Sequence, residues 1–252
     1  MNRRFIHGLL AASALAVAAP TVAAAQDVQA DIIALPEWSY DELYTNAVSV
    51  DDLLEAEVHG PTGDEIGGVE NVIFSEDGKV LSVIAEIGGF LDIADTHINV
   101  PFDQVEVRAD GDSVEIPLTQ ENVEDYSLFA DPLLTANEAG ASIEEVAGDD
   151  AGVALTGPRA WRAAELIGDY ARLKDGDGFA NYGYVNDIII RDGQIASVVV
   201  NADVGFGAPG FYAYPYYGYG SGWYPGHAYY DLPYERDEIA QLEPFDYDRF
   251  DD

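Results

Sequence analysis

Two segments of the chain carry the same order of apolar and polar positions. The first runs VENVIFSEDGKVLSVIAEIGGF from Val69 to Phe90, and the second VNDIIIRDGQIASVVVNADVGF from Val185 to Phe206. In each, a β-branched run is interrupted by Asp-Gly, at Asp77-Gly78 and at Asp192-Gly193. Both residues of such a pair tolerate positive φ, so each segment predicts a hairpin. The expected strands cover 65–75 and 79–87 in the first segment. Shorter strands follow near 97–100, 103–108 and 113–116, where Val105-Glu106-Val107 and Val114-Glu115-Ile116 alternate. The second segment predicts strands near 169–174, 182–191 and 194–203.

A short amphipathic turn precedes each hairpin, Val50-Asp51-Asp52-Leu53-Leu54 and Ala163-Ala164-Glu165-Leu166-Ile167. After each hairpin comes a proline beside an aromatic residue, Val100-Pro101-Phe102 matched by Leu232-Pro233-Tyr234. On this match the second half is longer before its proline. Short strands, Gly-rich turns and few helices predict an all-β chain of two small antiparallel barrels. Barrel closure also removes the exposed edges that Ile188-Ile189-Ile190 and Val198-Val199-Val200 would otherwise present. Residues 47–129 form the first expected domain, 130–157 a linker, and 158–252 a second, diverged one. Ser142 and Glu145 suggest a capping box for a short helix in the linker.

These features resemble the PRC-barrel family. The carriers are Asp52-Leu53-Leu54, Ile66-Gly67-Gly68-Val69-Glu70-Asn71-Val72, the Asp-Gly hairpin, Ile87-Gly88-Gly89-Phe90-Leu91 and Val100-Pro101-Phe102. The family occurs in the cytoplasmic part of the photosynthetic reaction-centre H subunit and in a ribosome-maturation factor. The resemblance implies an adaptor or docking module without catalytic activity. Neither of those roles transfers to this chain, for reasons of address and charge.

Residues 1–25 read as an address. Met1-Asn2-Arg3-Arg4 is basic, Phe5 to Ala19 is apolar, and Ala23-Ala24-Ala25 ends the segment with small residues. This predicts a cleaved secretory signal, followed by an extension over 26–46 and a periplasmic location. No later stretch reaches membrane-spanning length. The chain has 11 Lys+Arg against 47 Asp+Glu and no cysteine. Loss of residues 1–25 removes two arginines, giving 9 − 47 = −38. Such a surface repels phosphate backbones and excludes nucleic acid as a partner. Without cysteine there is no disulfide, thiolate zinc site or cysteine nucleophile.

Against this acidity, residues 205–230 hold eight tyrosines, two phenylalanines, one tryptophan and seven glycines without a single Asp, Glu, Lys or Arg. Prolines 209, 215 and 225 prevent a helix. The expectation is a loop that displays aromatic faces to an envelope protein or a glycan. Its candidate binding residues are Phe211, Tyr212, Tyr214, Tyr216, Tyr217, Tyr219, Trp223 and Tyr224. The alternative is that this segment folds back and caps a barrel. Gly205, Gly207 and Gly210 spell G-x-G-x-x-G, but no helix can start there, so no dinucleotide is expected. Asp175-Gly176-Asp177-Gly178 reads as a tight turn and not a calcium loop, because Phe179 and Ala180 occupy later ligand and glycine positions. His59, His97 and His227 have no metal-ligand spacing. No catalytic residue, metal or cofactor is expected. The functional reading is an exported, non-enzymatic binding or adaptor protein of the cell envelope. Its rivals are a passive structural protein and a weakly calcium- or salt-responsive acidic one.

Overall fold

A computed structural model describes residues 32–88, 96–108, 112–119, 122, 127–128, 160–206, 209–218, 220–240 and 242–249. The expected signal segment, the linker 130–157 with its Ser142–Glu145 capping box, Gly207 and Tyr219 lie outside them.

The described residues are mainly β. The first sheet contains β2 (Glu57–His59), β3 (Glu65–Phe74), β4 (Val80–Ile87), β5 (Thr96–Pro101), β6 (Glu106–Val107), β7 (Ser113–Glu115) and β8 (Ser127–Leu128). Their spatial order is β6-β7-β2-β3-β4-β5-β8. The second contains β10 (Tyr170–Asp175), β11 (Gly178–Arg191), β12 (Gln194–Ala202), β13 (Gly210–Pro215) and β14 (Tyr229–Glu235), in the order β13-β12-β11-β10-β14. Two short strands cross between them. β1 (Ala47–Ser49) pairs with β11 of the second sheet, and β9 (Trp161–Arg162) pairs with β3 of the first. Each half therefore lends the strand before its hairpin to the other.

The exchange is reciprocal in detail. The hairpin tips meet through Lys79 and Gln194. Val80 N–H donates to the Gly193 carbonyl, and Ile195 N–H to the Gly78 carbonyl, both at 2.9 Å. Each long hairpin carries a bulge one turn into the strand, between Val69 and Asn71 and between Val185 and Asp187. The bulge turns a polar residue inward. Asn71 Oδ1 accepts from Ala164 N–H at 3.4 Å, and Asp187 Oδ1 from Asp51 N–H at 2.9 Å. Each thus satisfies an orphan donor in the first turn of the other half's short helix. That helix is α1 (Val50–Glu55) in one case and a single 3-10 turn, Ala163–Glu165, in the other. Ser49 caps α1 by accepting from Asp52 N–H at 3.1 Å while donating to Asp187 Oδ2 at 2.8 Å.

Three sequence expectations change. Pro101 stands opposite Ser82, and in the second sheet Pro215 stands opposite Ser197. The counterpart of Val100-Pro101-Phe102 is therefore Tyr214-Pro215-Tyr216, not Leu232-Pro233-Tyr234. Six residues of the aromatic segment, Gly210–Pro215, are thus a sheet strand. Leu232-Pro233-Tyr234 lies in β14, which runs parallel to β10 as β7 runs parallel to β2. Finally, only the Asp192-Gly193 turn has both residues at positive φ, 53° and 73°. In the first hairpin Gly78 alone is positive, at 81°. The extra residue there makes a longer turn closed by Ser75 N–H on the Lys79 carbonyl at 2.9 Å.

The apolar faces of both sheets merge into one core, which includes Leu53, Phe74, Val83, Trp161, Ile188, Val198, Tyr214 and Trp223. A second cluster lies on the opposite face of the second sheet, where Leu43 and Phe245 cover Ile189, Val199 and Ala213. The extension after residue 31 thus belongs physically to the second sheet. Trp38 Nε1–H donates to the Ala213 carbonyl at 2.9 Å, and Tyr44 stacks on Phe245 at 5.2 Å.

Asp187 is fully buried, and burial pushes its carboxyl up to about 6 despite donors from Ser49, Asp51 and Ile188. Tyr247 O–H donates to it as well, at 3.2 Å. An acid whose folded pKa is raised adds stability that is full below its unfolded pKa. That contribution is lost as pH rises through the folded value, here between about 4 and about 6. Asp187→Asn removes this term, and Asn71 occupies the matching position in the first sheet. At pH 7.5 the variant is expected to equal or exceed the parent by up to about 2 kcal/mol. The advantage should vanish near pH 4. Urea melts at the two pH values test this, and a variant weaker at pH 7.5 than at pH 4, relative to the parent, refutes it.

Candidate aromatic docking surface

The residues expected in a displayed loop divide by the strand that carries them. In β13 side chains alternate, but both faces meet protein. Tyr214, fully buried, points into the core and donates its O–H to Tyr182 Oη at 2.8 Å. Tyr212 is buried as well. Phe211 lies on the opposite face, edge-on to Tyr247 at 5.2 Å. Beyond the strand, Tyr216 leans on Trp161 at 6.3 Å, and Tyr217 Oη lies 2.5 Å from Tyr234 Oη. Trp223, 1% exposed, packs against Trp161 at 4.9 Å and donates Nε1–H to Asp169 at 2.8 Å. Desolvation there raises the Asp169 carboxyl, and the indole bond partly offsets it. Only Tyr224 is an exposed large aromatic among the described members of the candidate set.

The expectation of a displayed loop is therefore corrected for Tyr212, Tyr214 and Trp223, which offer no face to a partner. The cause is area. Each aromatic ring brings a large apolar surface, and a charge-free segment has nothing to oppose its burial. The segment instead roofs the junction where β9 meets β3.

An aromatic surface does exist, one strand row away. Tyr229 of β14, Tyr170 of β10 and Tyr184 of β11 stand opposite one another in register. They are 43%, 39% and 43% exposed. Tyr170 lies 4.6 Å from Tyr184 and 6.0 Å from Tyr229, ring centre to ring centre. Hydrogen bonding to Tyr170 raises the Tyr184 phenol. The column continues through Arg172, whose guanidinium sits 4.1 Å from the Tyr229 ring and 5.3 Å from that of Phe179. Asp231 holds Arg172 in place with two bonds, 2.6 Å and 2.8 Å. This bidentate grip holds the guanidinium over the ring. Elsewhere on the same sheet face Trp38, Leu43, Tyr44 and Phe245 pack over Ile189, Val199 and Ala213, whereas the row stays open.

Of these residues only Tyr229 lies within the aromatic segment, and none was a sequence candidate. A signal was present in Tyr170-Ala171-Arg172-Leu173-Lys174, which alternates outward polar or aromatic with inward apolar positions. What linked the three tyrosines was register, which alternation within one strand does not contain.

Other constellations are less developed. A cavity of about 630 Å³ at the hairpin tips is lined by Asp77, Lys79, Phe102, Asp192 and Gln194. One of about 490 Å³ is lined by Asp52, Glu57, His59 and Arg108. His59 lies 3.3 Å from Glu57 Oε2 and 3.1 Å from the Gly63 carbonyl, and His97 pairs with Glu70 at 3.2 Å. Among the described residues no three His, Asp or Glu side chains converge as metal ligands. Nor is any helix there long and apolar enough to cross a membrane.

Comparison with known proteins agrees with the first sheet. No curated protein matches the chain. The model of the PRC-barrel domain family matches residues 46–123, which span β1 through β7. That family is one of small, non-catalytic binding or structural modules. With the expected hairpin and proline strand in place, residues 46–123 form a PRC-barrel domain.

Proposed function

We propose that this chain is an exported, non-enzymatic binding or adaptor protein of the cell envelope, and that it docks a partner on the open face of its second sheet. The observation that carries this reading is the row Tyr229–Tyr170–Tyr184, three neighbouring exposed rings on a face that the chain itself roofs over Ile189, Val199 and Ala213. Exposed aromatic clusters of this kind mark interaction sites, because tyrosine offers apolar area and a hydrogen-bonding tip together. Residues 1–25 support export, and a periplasmic address follows from the same segment. The second sheet is read as a diverged PRC-like copy. Support comes from the reciprocal strand exchange, the paired bulges and the matched prolines.

A second reading is favoured by the buried position of Trp223 and Tyr214: a passive envelope protein whose aromatic segment serves stability alone. One experiment separates the two. The triple variant Tyr170→Ser/Tyr184→Ser/Tyr229→Ser is expected to stay folded and lose about 1–2 kcal/mol, since exposed cross-strand pairs contribute little each. Material captured from solubilised envelope by the parent, identified by mass spectrometry or glycan analysis, should be lost by the variant. Equal capture by both proteins moves binding away from the row, and no capture by either supports the passive reading.

A further inference from the structure

Twice among the described residues an arginine lies over a tyrosine ring with an aspartate beside it. Arg172 is 4.1 Å from the Tyr229 ring centre and is gripped by Asp231 at 2.6 Å and 2.8 Å. Arg249 is 3.8 Å from the Tyr44 ring centre, with Nη2 3.4 Å from Asp41 Oδ1. The two sites share no strand, so the arrangement recurs for chemical reasons. The ring face attracts the planar cation, and the carboxylate fixes its orientation.

A third tyrosine–aspartate pair stands at the far end of the open row. Asp203 follows β12, and its N–H donates to the Tyr182 carbonyl at 2.9 Å. That bond places it two residues from Tyr184 along β11. Both side chains are exposed, and the Asp203 charge contributes to the raised Tyr184 phenol. Tyr170 occupies one side of the Tyr184 ring. Among the described residues no Lys or Arg pairs with Asp203. The whole chain carries 47 acidic against 11 basic residues, which draws cationic partners and repels anionic ones.

We propose that Tyr184 and Asp203 form an open seat for an arginine side chain, and that the partner docking on the tyrosine row does so through a basic segment of a protein. This rests on the docking reading above and adds the chemistry of the partner. Arginine is specified over lysine because both filled seats set a guanidinium over a ring beside a carboxylate, and a planar, forked cation can meet both at once where an ammonium is a point charge.

The test uses the full mature chain and a fluorescent peptide of alternating arginine and serine. Its comparators are the same peptide with citrulline in place of arginine, and a neutral β-linked glucose oligosaccharide. The parent is expected to bind the arginine peptide, and Asp203→Asn and Tyr184→Ser should each weaken it about tenfold. The citrulline peptide should bind no more tightly to the parent than the arginine peptide binds to Asp203→Asn. Glu65→Gln, which removes one exposed charge on the other sheet, measures bulk attraction and should leave affinity within about twofold. Circular dichroism confirms that each variant is folded. The inference is overturned if Glu65→Gln weakens binding as much as Asp203→Asn, or if citrulline substitutes freely. Binding of the oligosaccharide but not the peptide overturns it too. Loss of envelope capture by the triple tyrosine variant alongside any of these results leaves the docking surface standing and removes only the arginine. Unchanged capture removes the docking reading, whatever the peptide does.

Discussion

Trp161→Ala is expected to unfold both halves of the protein at a lower denaturant concentration, in one transition. Trp161 is 1% exposed and is the first residue of β9, the strand that the second half lends to the first sheet. It packs against Phe74 at 4.8 Å and Trp223 at 4.9 Å, and donates Nε1–H to the Ser75 carbonyl at 2.9 Å. The substitution opens a cavity between residues of both halves and removes one of two donors to that carbonyl, which keeps Gly78 N–H at 3.0 Å. A buried Trp→Ala change of this kind costs about 3–5 kcal/mol. Because both sheets share one core, the loss cannot be confined to the PRC-barrel domain. Tyrosine fluorescence and far-ultraviolet circular dichroism should therefore shift together in urea. Two separated transitions, with only one displaced, would show that the strand exchange does not couple the halves. A loss under about 1 kcal/mol would show that the site collapses around the smaller side chain.

The same exchange marks the limit of what the chain disclosed by itself. Hairpins, the Asp192-Gly193 turn and most strand limits were legible, because they depend on neighbours within ten residues. The pairing of β1 with β11 was not, since Val48 and Ile190 are brought together only by the tertiary fold. The proline match failed for a related reason. Tyr214-Pro215-Tyr216 and Leu232-Pro233-Tyr234 are both a proline between apolar residues, and only the register opposite Ser197 separates them. Misplacing that strand made β13 look like a loop. Composition then suggested display where the structure has burial. The candidate surface was missed because exposure is a property of sheet faces, not of segments. Tyr214 in the conspicuous run is interior, while Tyr170 and Tyr184 in unremarkable strands are not.

Register also explains why two glycines should be intolerant of the smallest change. Gly67 and Gly183 occupy the same place in β3 and β11, two residues before the bulge begins. A Cβ at Gly67 would stand 2.0 Å from the Glu86 carbonyl oxygen, and one at Gly183 2.1 Å from that of Asn201. These obstacles are backbone atoms of the neighbouring strand, so no side-chain rotation relieves them. Gly67→Ala must separate β3 from β4, and Gly183→Ala must separate β11 from β12. Each is expected to cost about 3 kcal/mol or more, the upper range for overpacking. Gly68→Ala provides the contrast one residue away. There the nearest atom to the new Cβ is the Ala56 carbonyl oxygen at 3.9 Å, an ordinary contact. That substitution should stay within about 0.5 kcal/mol, because a methyl group without strain mainly reduces the freedom of the unfolded chain. Thermal melts of the three variants decide the matter. Equal losses at Gly67 and Gly68 would mean that glycine is needed there for conformational freedom and not for the close approach of strands. A tolerated Gly183→Ala would mean that the second sheet lacks the tight crossing that makes it the counterpart of the first.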